Sequence, residues 1–202
     1  TTHTLKDFGA GADYYNLTIN DTSATNSDTF QLGAALNVDG NLTITDGTFD
    51  VSATNYQINL AGNWSKAAAG AFTQQSGTVV LDGTNQTISG STTFNNFSKT
   101  DATDNATDLI LTFDNTGTQT ISGLLTLDGL DDTDRVNLVS DSPGTQWSLI
   151  CNGTFAIDYV DVTDSDASGG TTVSHTNTVN GGNNLNWGFP SADNAPFFGA
   201  NF

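Results

Sequence analysis

Short segments in which apolar and polar residues alternate recur along the chain at intervals close to 10 or 20 residues. Four of them are "NLTIT" (41–45), "YQINLAGNW" (56–64), "GTVVLDG" (77–83) and "LLTLDG" (124–129), and Gly, Asn and Asp separate such segments. Successive side chains of a β-strand point to opposite faces, so each segment predicts a strand with one buried and one solvated face. The turn residues between the segments keep each strand short. The chain is therefore predicted to be all-β.

Composition supports this prediction and excludes two classes of partner. All 22 acidic residues are Asp, which prefers turns, and the chain contains no Glu, which favours helices. The formal net charge is −18, and the four basic residues, Lys6, Lys66, Lys99 and Arg135, are isolated from one another. Phosphate binding needs clustered Lys and Arg, so nucleic acid and anionic membrane surfaces are not expected partners. No stretch approaches the roughly 20 apolar residues of a membrane helix, so membrane insertion is not expected.

The strands can be arranged as a right-handed parallel β-helix, also called a β-solenoid, or as a β-sandwich. Pro, Lys and Glu, which protect the exposed edges of sandwich sheets, are nearly absent from the segments, and this favours the solenoid. With roughly 22 residues per coil, we expect eight or nine coils and a rod of about 40 Å. The side chains predicted to form one continuous core are Leu42, Ile44, Ile58, Leu60, Val79, Leu81, Leu111, Leu125, Leu127, Leu138 and Ile157. The single cysteine, Cys151, is also expected to be buried.

A longer repeat is superimposed on the strand pattern. "YYNLTIN" from Tyr14 resembles "FNNFSKT" from Phe94, and "GNWS" around Trp64 resembles "TQWS" around Trp147, so the offset is 80 to 83 residues. Self-similarity at a fixed period is typical of repeat architectures. The predicted organisation is one solenoid domain over 1–189, built from related units at about 14–93 and 94–189, followed by a C-terminal tail over 190–202.

Two stretches carry a resemblance to a known class of proteins. "GNLTITDGTFDVSATNYQINLAGNWS" and "PGTQWSLICNGTFAIDYVDVTDSDASGG" resemble the repeats and the C-terminal unit of large secreted bacterial surface proteins of the right-handed parallel β-helix kind. The resemblance covers about residues 13–189. It implies an extracellular, adhesin-like or structural protein and supplies no catalytic residues. The chain begins at Thr1 rather than Met, which predicts a secreted protein whose signal peptide has been removed.

The stretch from Asp164 to Gly169 fits the first half of a calcium loop, because oxygen-bearing side chains alternate before a glycine. His175 stands where such a loop places a bidentate acid, so the neighbouring coil would have to supply further oxygens. The predicted calcium ligands are Asp161, Asp164, Asp166 and Ser168. The alternative interpretation is an Asp-rich turn between coils. The segments 101–108 and 130–135 show a similar but less complete pattern.

Enzymatic activity is not expected. A glycosidase needs two carboxylates that face each other across a groove, whereas the pairs Asp131/Asp132 and Asp164/Asp166 lie in predicted turns. A polysaccharide-active enzyme therefore ranks third among the possible functions. Surface glycans remain candidate partners, because exposed aromatic rings stack on sugars. We expect Trp64, Trp147 and Trp187, however, to serve as core or capping residues.

The ends of a solenoid expose unpaired strand edges, which pair readily with another chain. The tail contains Phe197, Phe198 and Phe202, and the first coil contains Phe8, Tyr14 and Tyr15. We expect the tail, or the last coil near Trp187, to dock on the first coil of the next subunit and form a head-to-tail homopolymer. The alternative is a tail that caps its own last coil. The expected function is thus a structural subunit of a surface filament or matrix, ahead of an adhesin or carbohydrate-binding module.

Overall fold

The structure, a computed structural model, describes residues 1–9, 11–23 and 28–189. Within these ranges the chain forms 22 strands and no α-helix, and the strands wind into eight coils. The first four coils contain β1 (Thr2–Leu5) and β2 (Leu17–Ile19); β3 (Thr29–Leu32), β4 (Leu36–Val38) and β5 (Leu42–Ile44); β6 (Gly47–Asp50), β7 (Ile58–Leu60) and β8 (Trp64–Lys66); β9 (Gly70–Thr73), β10 (Thr78–Leu81) and β11 (Gln86–Ser89). The last four contain β12 (Thr92–Phe94), β13 (Asn96–Thr100) and β14 (Leu109–Phe113); β15 (Thr118–Ile121), β16 (Leu124–Asp128) and β17 (Val136–Ser140); β18 (Trp147–Cys151), β19 (Thr154–Asp158) and β20 (Val160–Thr163); β21 (Ser165–Asp166) and β22 (Val179–Gly182).

Corresponding strands of successive coils stack as four sheets. Sheet A contains β1, β3, β6 and β9; sheet B runs from β4 to β19; sheet C runs from β2 to β22; and sheet D contains β12, β15, β18 and β21. Every strand pair in the described ranges is parallel. Each of the six middle coils contributes a strand to sheet A or D, then to B, then to C, whereas the first and last coils reach sheet B only through single bridges. The predicted parallel β-solenoid is confirmed, and the β-sandwich alternative is wrong because sandwich sheets are antiparallel. The right-handed sense of the winding stays a prediction.

The length of a coil follows from the strand register. In sheet C, Leu17 pairs with Leu42, Leu42 with Trp64, and Trp64 with Ile88, so the first three coils take 22 to 25 residues each. The later coils vary from 27 residues, between Leu111 and Leu138, to 18, between Asp161 and Val179. At about 4.8 Å per coil, eight coils make a rod of about 40 Å.

The core is one continuous column of inward-pointing side chains. All eleven residues predicted to form it are buried, and so is Cys151. Besides sheets B and C, the stack has a third face, which is sheet A in the first four coils and sheet D in the last four. Aromatic rings fill the core where sheet A gives way to sheet D. The ring of Trp64 lies 4.9 Å from that of Phe72 and 5.1 Å from that of Phe94. Deeper in the stack, Phe113 and Trp147 are stacked with centroids 3.9 Å apart.

Asparagine side chains hold the corners between sheets B and C. The Oδ1 of Asn16 accepts the N–H of Asn41 (2.7 Å), the Oδ1 of Asn41 accepts the N–H of Asn63 (2.9 Å), and the Oδ1 of Asn63 accepts the N–H of Thr87 (2.8 Å). A corner takes the backbone out of the sheet ladder, so its N–H groups need other acceptors. The asparagine side chain of one coil supplies such an acceptor to the corner of the next coil. We call this series of side chains the asparagine ladder.

The matched residues of the 80-residue repeat lie on different faces of the stack. Trp64 is in sheet C, whereas Trp147 is in sheet D. Tyr14 bridges to Val38 in sheet B, whereas Phe94 is in sheet D. The repeating unit visible in the structure is the coil, and the division into units at 14–93 and 94–189 stays a prediction.

Candidate functional site

Asp164, the first residue of the predicted calcium loop, is buried and already hydrogen-bonded. Its Oδ2 accepts the N–H of Gly144 (2.7 Å) and its Oδ1 accepts an Nδ2–H of Asn183 (2.7 Å). Its own N–H donates to the carbonyl of Gly182 (3.0 Å). The backbone here has φ 56°, in the left-handed region that Asp tolerates better than most residues. Asp164 therefore ties two neighbouring turns together, and a cation bound to it would replace two hydrogen bonds.

The other predicted calcium ligands lie on two different sheets. Asp166 belongs to sheet D, where its Oδ1 accepts the N–H (2.9 Å) and the hydroxyl (2.5 Å) of Ser168, as in an Asx turn. Asp161 belongs to sheet C, and burial raises the pKa of its carboxyl, an effect that Arg135 opposes and Asp108 reinforces. Within the described residues, no group of three or more His, Cys or Asp side chains is placed to hold a metal. Calcium binding at this turn stays a prediction.

The three tryptophans are buried, and each indole N–H has an acceptor. Trp64 donates to the hydroxyl of Thr92 (3.0 Å), Trp147 to the carbonyl of Thr163 (3.0 Å), and Trp187 to the hydroxyl of Ser165 (2.9 Å). None of these rings is available to stack on a sugar in this structure. Trp187 is the buried tryptophan of the last coil. A partner protein would therefore contact exposed residues near it, such as Leu185, rather than the indole itself.

The first coil carries an exposed aromatic group, which we name the head cluster: Lys6, Phe8, Tyr14 and Tyr15. Phe8 is 57% exposed and Tyr15 is 74% exposed, while Tyr14 is half-buried. The ring of Phe8 packs edge-on against that of Tyr14 (5.6 Å), and the Nζ of Lys6 lies 4.7 Å from the centroid of the Phe8 ring. The Tyr14 hydroxyl donates to the carbonyl of Lys6 (3.1 Å). Two of the residues predicted to take part in assembly, Phe8 and Tyr14, are thus in contact, and Tyr15 follows Tyr14 in the chain.

Both ends of the described stack terminate in strand edges. β1 pairs with β3 on one side, and the carbonyl of Thr1 accepts the N–H of Thr29 (2.8 Å). The backbone N–H and C=O groups of successive residues alternate in direction along a strand. Those of Thr2 and Thr4 therefore point away from β3. At the other end, β22 is the last strand of sheet C; Val179 within it is 41% exposed and Leu185, which follows it, is 48% exposed. The predicted tail, with Phe197, Phe198 and Phe202, lies outside the described residues.

The carboxylate pairs considered for catalysis serve turns. Asp131 accepts the N–H (2.7 Å) and the hydroxyl (2.8 Å) of Thr133, which lowers the pKa of its carboxyl. Asp132 forms an ion pair with Arg135. His175 packs against Phe189, with centroids 4.6 Å apart, and burial lowers the pKa of its imidazole. The expectation that the protein is not an enzyme stays a prediction.

No family model, curated protein or solved structure matches the chain. The resemblance to bacterial surface repeats therefore stays a prediction. Among the residues that the structure describes, no helix is long and apolar enough to cross a membrane.

Two fully buried charged groups were not predicted from the sequence. Lys99 occupies an inward position of β13, in register with Leu81 and Leu127, and is fully buried. Asp134, in a corner loop, is also fully buried. The alternation of "FNNFSKT" contains the signal for Lys99, because Phe97 two residues earlier points inward. Asp134 lies in a segment without periodicity, so no sequence pattern distinguishes it from its exposed neighbours.

Proposed function

We propose that the protein is a non-enzymatic, extracellular structural protein whose subunits join head to tail into a filament or matrix. The observation that carries the proposal is the strand edge at each end of the described solenoid, with exposed apolar residues beside it. At the head these are Phe8 and Tyr15, and at the other end Val179 and Leu185. An open edge of parallel strands offers backbone donors and acceptors to a second chain.

Charge favours contact through the ends. With a formal net charge of −18, the long sides of two rods repel each other. The head cluster includes an exposed cation, Lys6, and its charge attracts an acidic neighbour. At the end that carries β22, the last strands of sheets B and D, β19 and β21, carry Asp158 and Asp166. The head also carries Asp7 and Asp13, so Lys6 favours one local ion pair across the contact rather than a general attraction between the two ends.

The join would work by strand addition. The free backbone groups of Thr2 and Thr4 would pair with the last coil, or with the tail, of the next subunit. Such a contact uses two different surfaces, so it propagates as an open filament unless the rotation between subunits closes a ring. In this proposal, main-chain hydrogen bonds supply affinity, while Phe197, Phe198 and Phe202 of the tail set the register against Phe8 and Tyr15.

A proline in the edge strand tests the proposal. Thr4→Pro removes one N–H that faces away from β3, and a proline is tolerated in an edge strand when its missing N–H faces solvent. We expect this variant to keep its circular dichroism spectrum and to be monomeric by light scattering. The matched control, Thr4→Val, keeps the N–H and a branched side chain, and should assemble like the parent chain. Assembly of folded Thr4→Pro to the parent's extent would overturn the head-edge contact.

Deletion of residues 190–202 distinguishes the two roles of the tail. If the tail docks on the next subunit, the truncated protein is folded and monomeric. If the tail caps its own last coil, the truncated protein unfolds or aggregates because the core near Trp187 is exposed. Undiminished assembly of the truncated protein would show that the last coil docks without the tail.

A second candidate function, carbohydrate binding, has one observation in its favour. Sheet D carries a surface hollow of about 210 Å³, lined by the polar side chains of Thr118, Ser148, Asp166 and Ser168 together with Ile150. Hydroxyl and carboxylate groups at one place can hydrogen-bond sugar hydroxyls. A glycan array probed with the parent chain and with Thr118→Ala tests this function. Glycan binding that the substitution leaves unchanged would place the sugar elsewhere.

A further inference from the structure

Two long loops stack at the corner between sheets B and C, in the fifth and sixth coils. Loop 101–108 joins β13 to β14, and loop 129–135 joins β16 to β17. The corresponding connections in the second to fourth coils contain only three or four residues. The N–H of Asp101 donates to the carbonyl of Asp128 (2.7 Å), which fixes the start of one loop over the other. We name this pair of loops the acidic corner, because it contains six Asp and a single cation, Arg135.

Asp134 is the centre of the acidic corner. It is fully buried, and its Oδ1 accepts the N–H groups of Thr107 (2.8 Å) and Asn105 (3.3 Å) from the loop of the adjacent coil. Its Oδ2 is also buried, yet it has no hydrogen-bond partner in the described structure. A buried carboxylate oxygen without a donor or a cation is energetically costly.

Asp101, the first residue of loop 101–108, has the same arrangement. It is 8% exposed, and its Oδ1 accepts the N–H of Thr103 (2.9 Å). Its Oδ2 is buried and, within the described structure, likewise lacks a partner. Two carboxylates thus face the backbone of loop 101–108, each with one oxygen satisfied by that loop and one oxygen unsatisfied.

The surroundings compensate the negative charge only in part. The buried ammonium of Lys99 attracts Asp101, but it donates its hydrogen bonds to Gln86 and to the carbonyls of Gly83 and Thr84. Asp128 and Asp158 are register partners in adjacent strands, so a further pair of carboxyl groups borders the corner. The guanidinium of Arg135 is already occupied, since it contacts Asp132 and donates to the carbonyl of Asn177 (2.7 Å). A bound cation would have two stabilising effects. It would be coordinated by the two unpartnered oxygens, and it would reduce the repulsion among the carboxylates.

We propose that the acidic corner binds one divalent cation of the calcium class, with the Oδ2 atoms of Asp101 and Asp134 as its negatively charged ligands. Calcium accepts six to eight oxygens in flexible geometry, whereas magnesium requires a nearly ideal octahedron that two irregular loops do not offer. Because the described residues contain no group of three metal-binding side chains, loop carbonyls, hydroxyls and water complete the coordination. The cation fastens two coils together at the corner where the connections are longest. This site is separate from the Asp164–Gly169 turn and independent of the proposed assembly.

Calorimetric titration of the chelator-treated full chain with calcium chloride, in about 0.15 M salt, tests the site. We expect saturable binding with one high-affinity ion per chain and a higher melting temperature in calcium than in chelator. Asp134→Asn and Asp101→Asn should each raise the Kd at least about tenfold. Both variants keep a side-chain oxygen for the loop N–H groups, so folding is expected to survive. In chelator, Asp134→Asn should melt no lower than the parent chain, because it removes a buried unpaired charge.

Two controls make the result decisive. Asp104→Asn removes an equal charge from an exposed position of the same loop and should leave the Kd nearly unchanged. Asp164→Asn tests the turn predicted from the sequence, and loss of binding in that variant alone would move the site there. If Asp104→Asn and Asp134→Asn lose the same calcium affinity, calcium screens the charge diffusely and does not occupy a site. Calcium binding that neither Asp101→Asn nor Asp134→Asn weakens, or no saturable binding at all, would overturn the proposal. If Asp134→Asn does not fold, Asp101→Asn alone decides.

Discussion

The ammonium of Lys99 lies 2.7 Å from the Oε1 atom of Gln86, inside the corner that joins β10 to β11. It also donates to the carbonyls of Gly83 and Thr84 (2.9 Å for Thr84). The side chain comes from the next coil, so one lysine closes a corner of the coil below it. Charged hydrogen bonds of this kind are stronger than neutral ones, and they satisfy carbonyls that the corner removes from the sheets.

We predict that Lys99→Met lowers the free energy of unfolding by about 2–4 kcal/mol, because it leaves the buried Oε1 atom of Gln86 and two partly buried carbonyls without a donor. Chemical denaturation followed by circular dichroism measures the change. The matched control is Lys66→Met. Lys66 is half-buried and donates to the carbonyls of Ala67 (3.3 Å) and Gly70 (2.9 Å), so its loss should cost less than about 1 kcal/mol. Equal losses in the two variants would contradict a special role for Lys99.

The stability contributed by Lys99 should depend on pH. Burial lowers the pKa of Lys99 from its usual value of 10.5 to about 8, while the charges of Asp82 and Asp101 oppose this effect. The unfolded chain therefore holds the lysine proton more tightly, and this group makes unfolding harder as the pH rises from about 8 to 10.5. We predict that the free energy of unfolding of the parent chain, minus that of Lys99→Met, grows by roughly 1–3 kcal/mol over this range. A difference that stays constant or falls with pH would contradict the burial of a charged lysine.

The asparagine ladder predicts a contrast between two substitutions at one position. Asn41→Ala removes the oxygen that accepts the N–H of Asn63, and should lower the free energy of unfolding by about 1 kcal/mol. Asn41→Asp keeps an acceptor at the same place and should cost less. Denaturant titrations of both variants check this, and an aspartate variant as unstable as the alanine variant would show that the ladder bond contributes little.

Glycines allow two coils to approach at the corner between sheets D and B. A Cβ added at Gly153 would collide with the backbone carbonyl of Gly123, which already accepts the N–H of Thr154 (2.8 Å). We predict that Gly153→Ala lowers the free energy of unfolding by about 3 kcal/mol. At Gly33 the nearest atom to an added Cβ is the γ-methyl group of Thr4, which can rotate away, so Gly33→Ala should cost under about 1 kcal/mol. Thermal melts of the pair test the contrast; equal melting temperatures would contradict the close approach.

The architecture was predictable because it depends on a periodic property of the sequence. Alternating residues such as Leu42 and Ile44 point the same way in any strand, so burial of one face follows from local geometry alone. The eleven predicted core residues are all buried for this reason. The number of coils followed from chain length and strand spacing.

The chemistry of the corners was less predictable because it depends on which loops meet. The sequence shows that Asp134 and Asp164 lie in polar turns, but not that one has an unpartnered buried oxygen while the other is saturated by Gly144 and Asn183. Adjacent coils place residues about 20 to 30 positions apart in contact. No local pattern fixes that register when the connecting loops differ in length.

Electron microscopy of the purified full chain tests the central claim, head-to-tail assembly, most directly. Each subunit adds about 40 Å of rod, so head-to-tail assembly predicts unbranched filaments with an axial repeat near that value. These filaments should form with the parent chain and with Thr4→Val but not with Thr4→Pro. Closed rings of the same subunits would also agree with a head-to-tail contact. Separate single rods about 40 Å long, at concentrations where the chain is folded and pure, would contradict it.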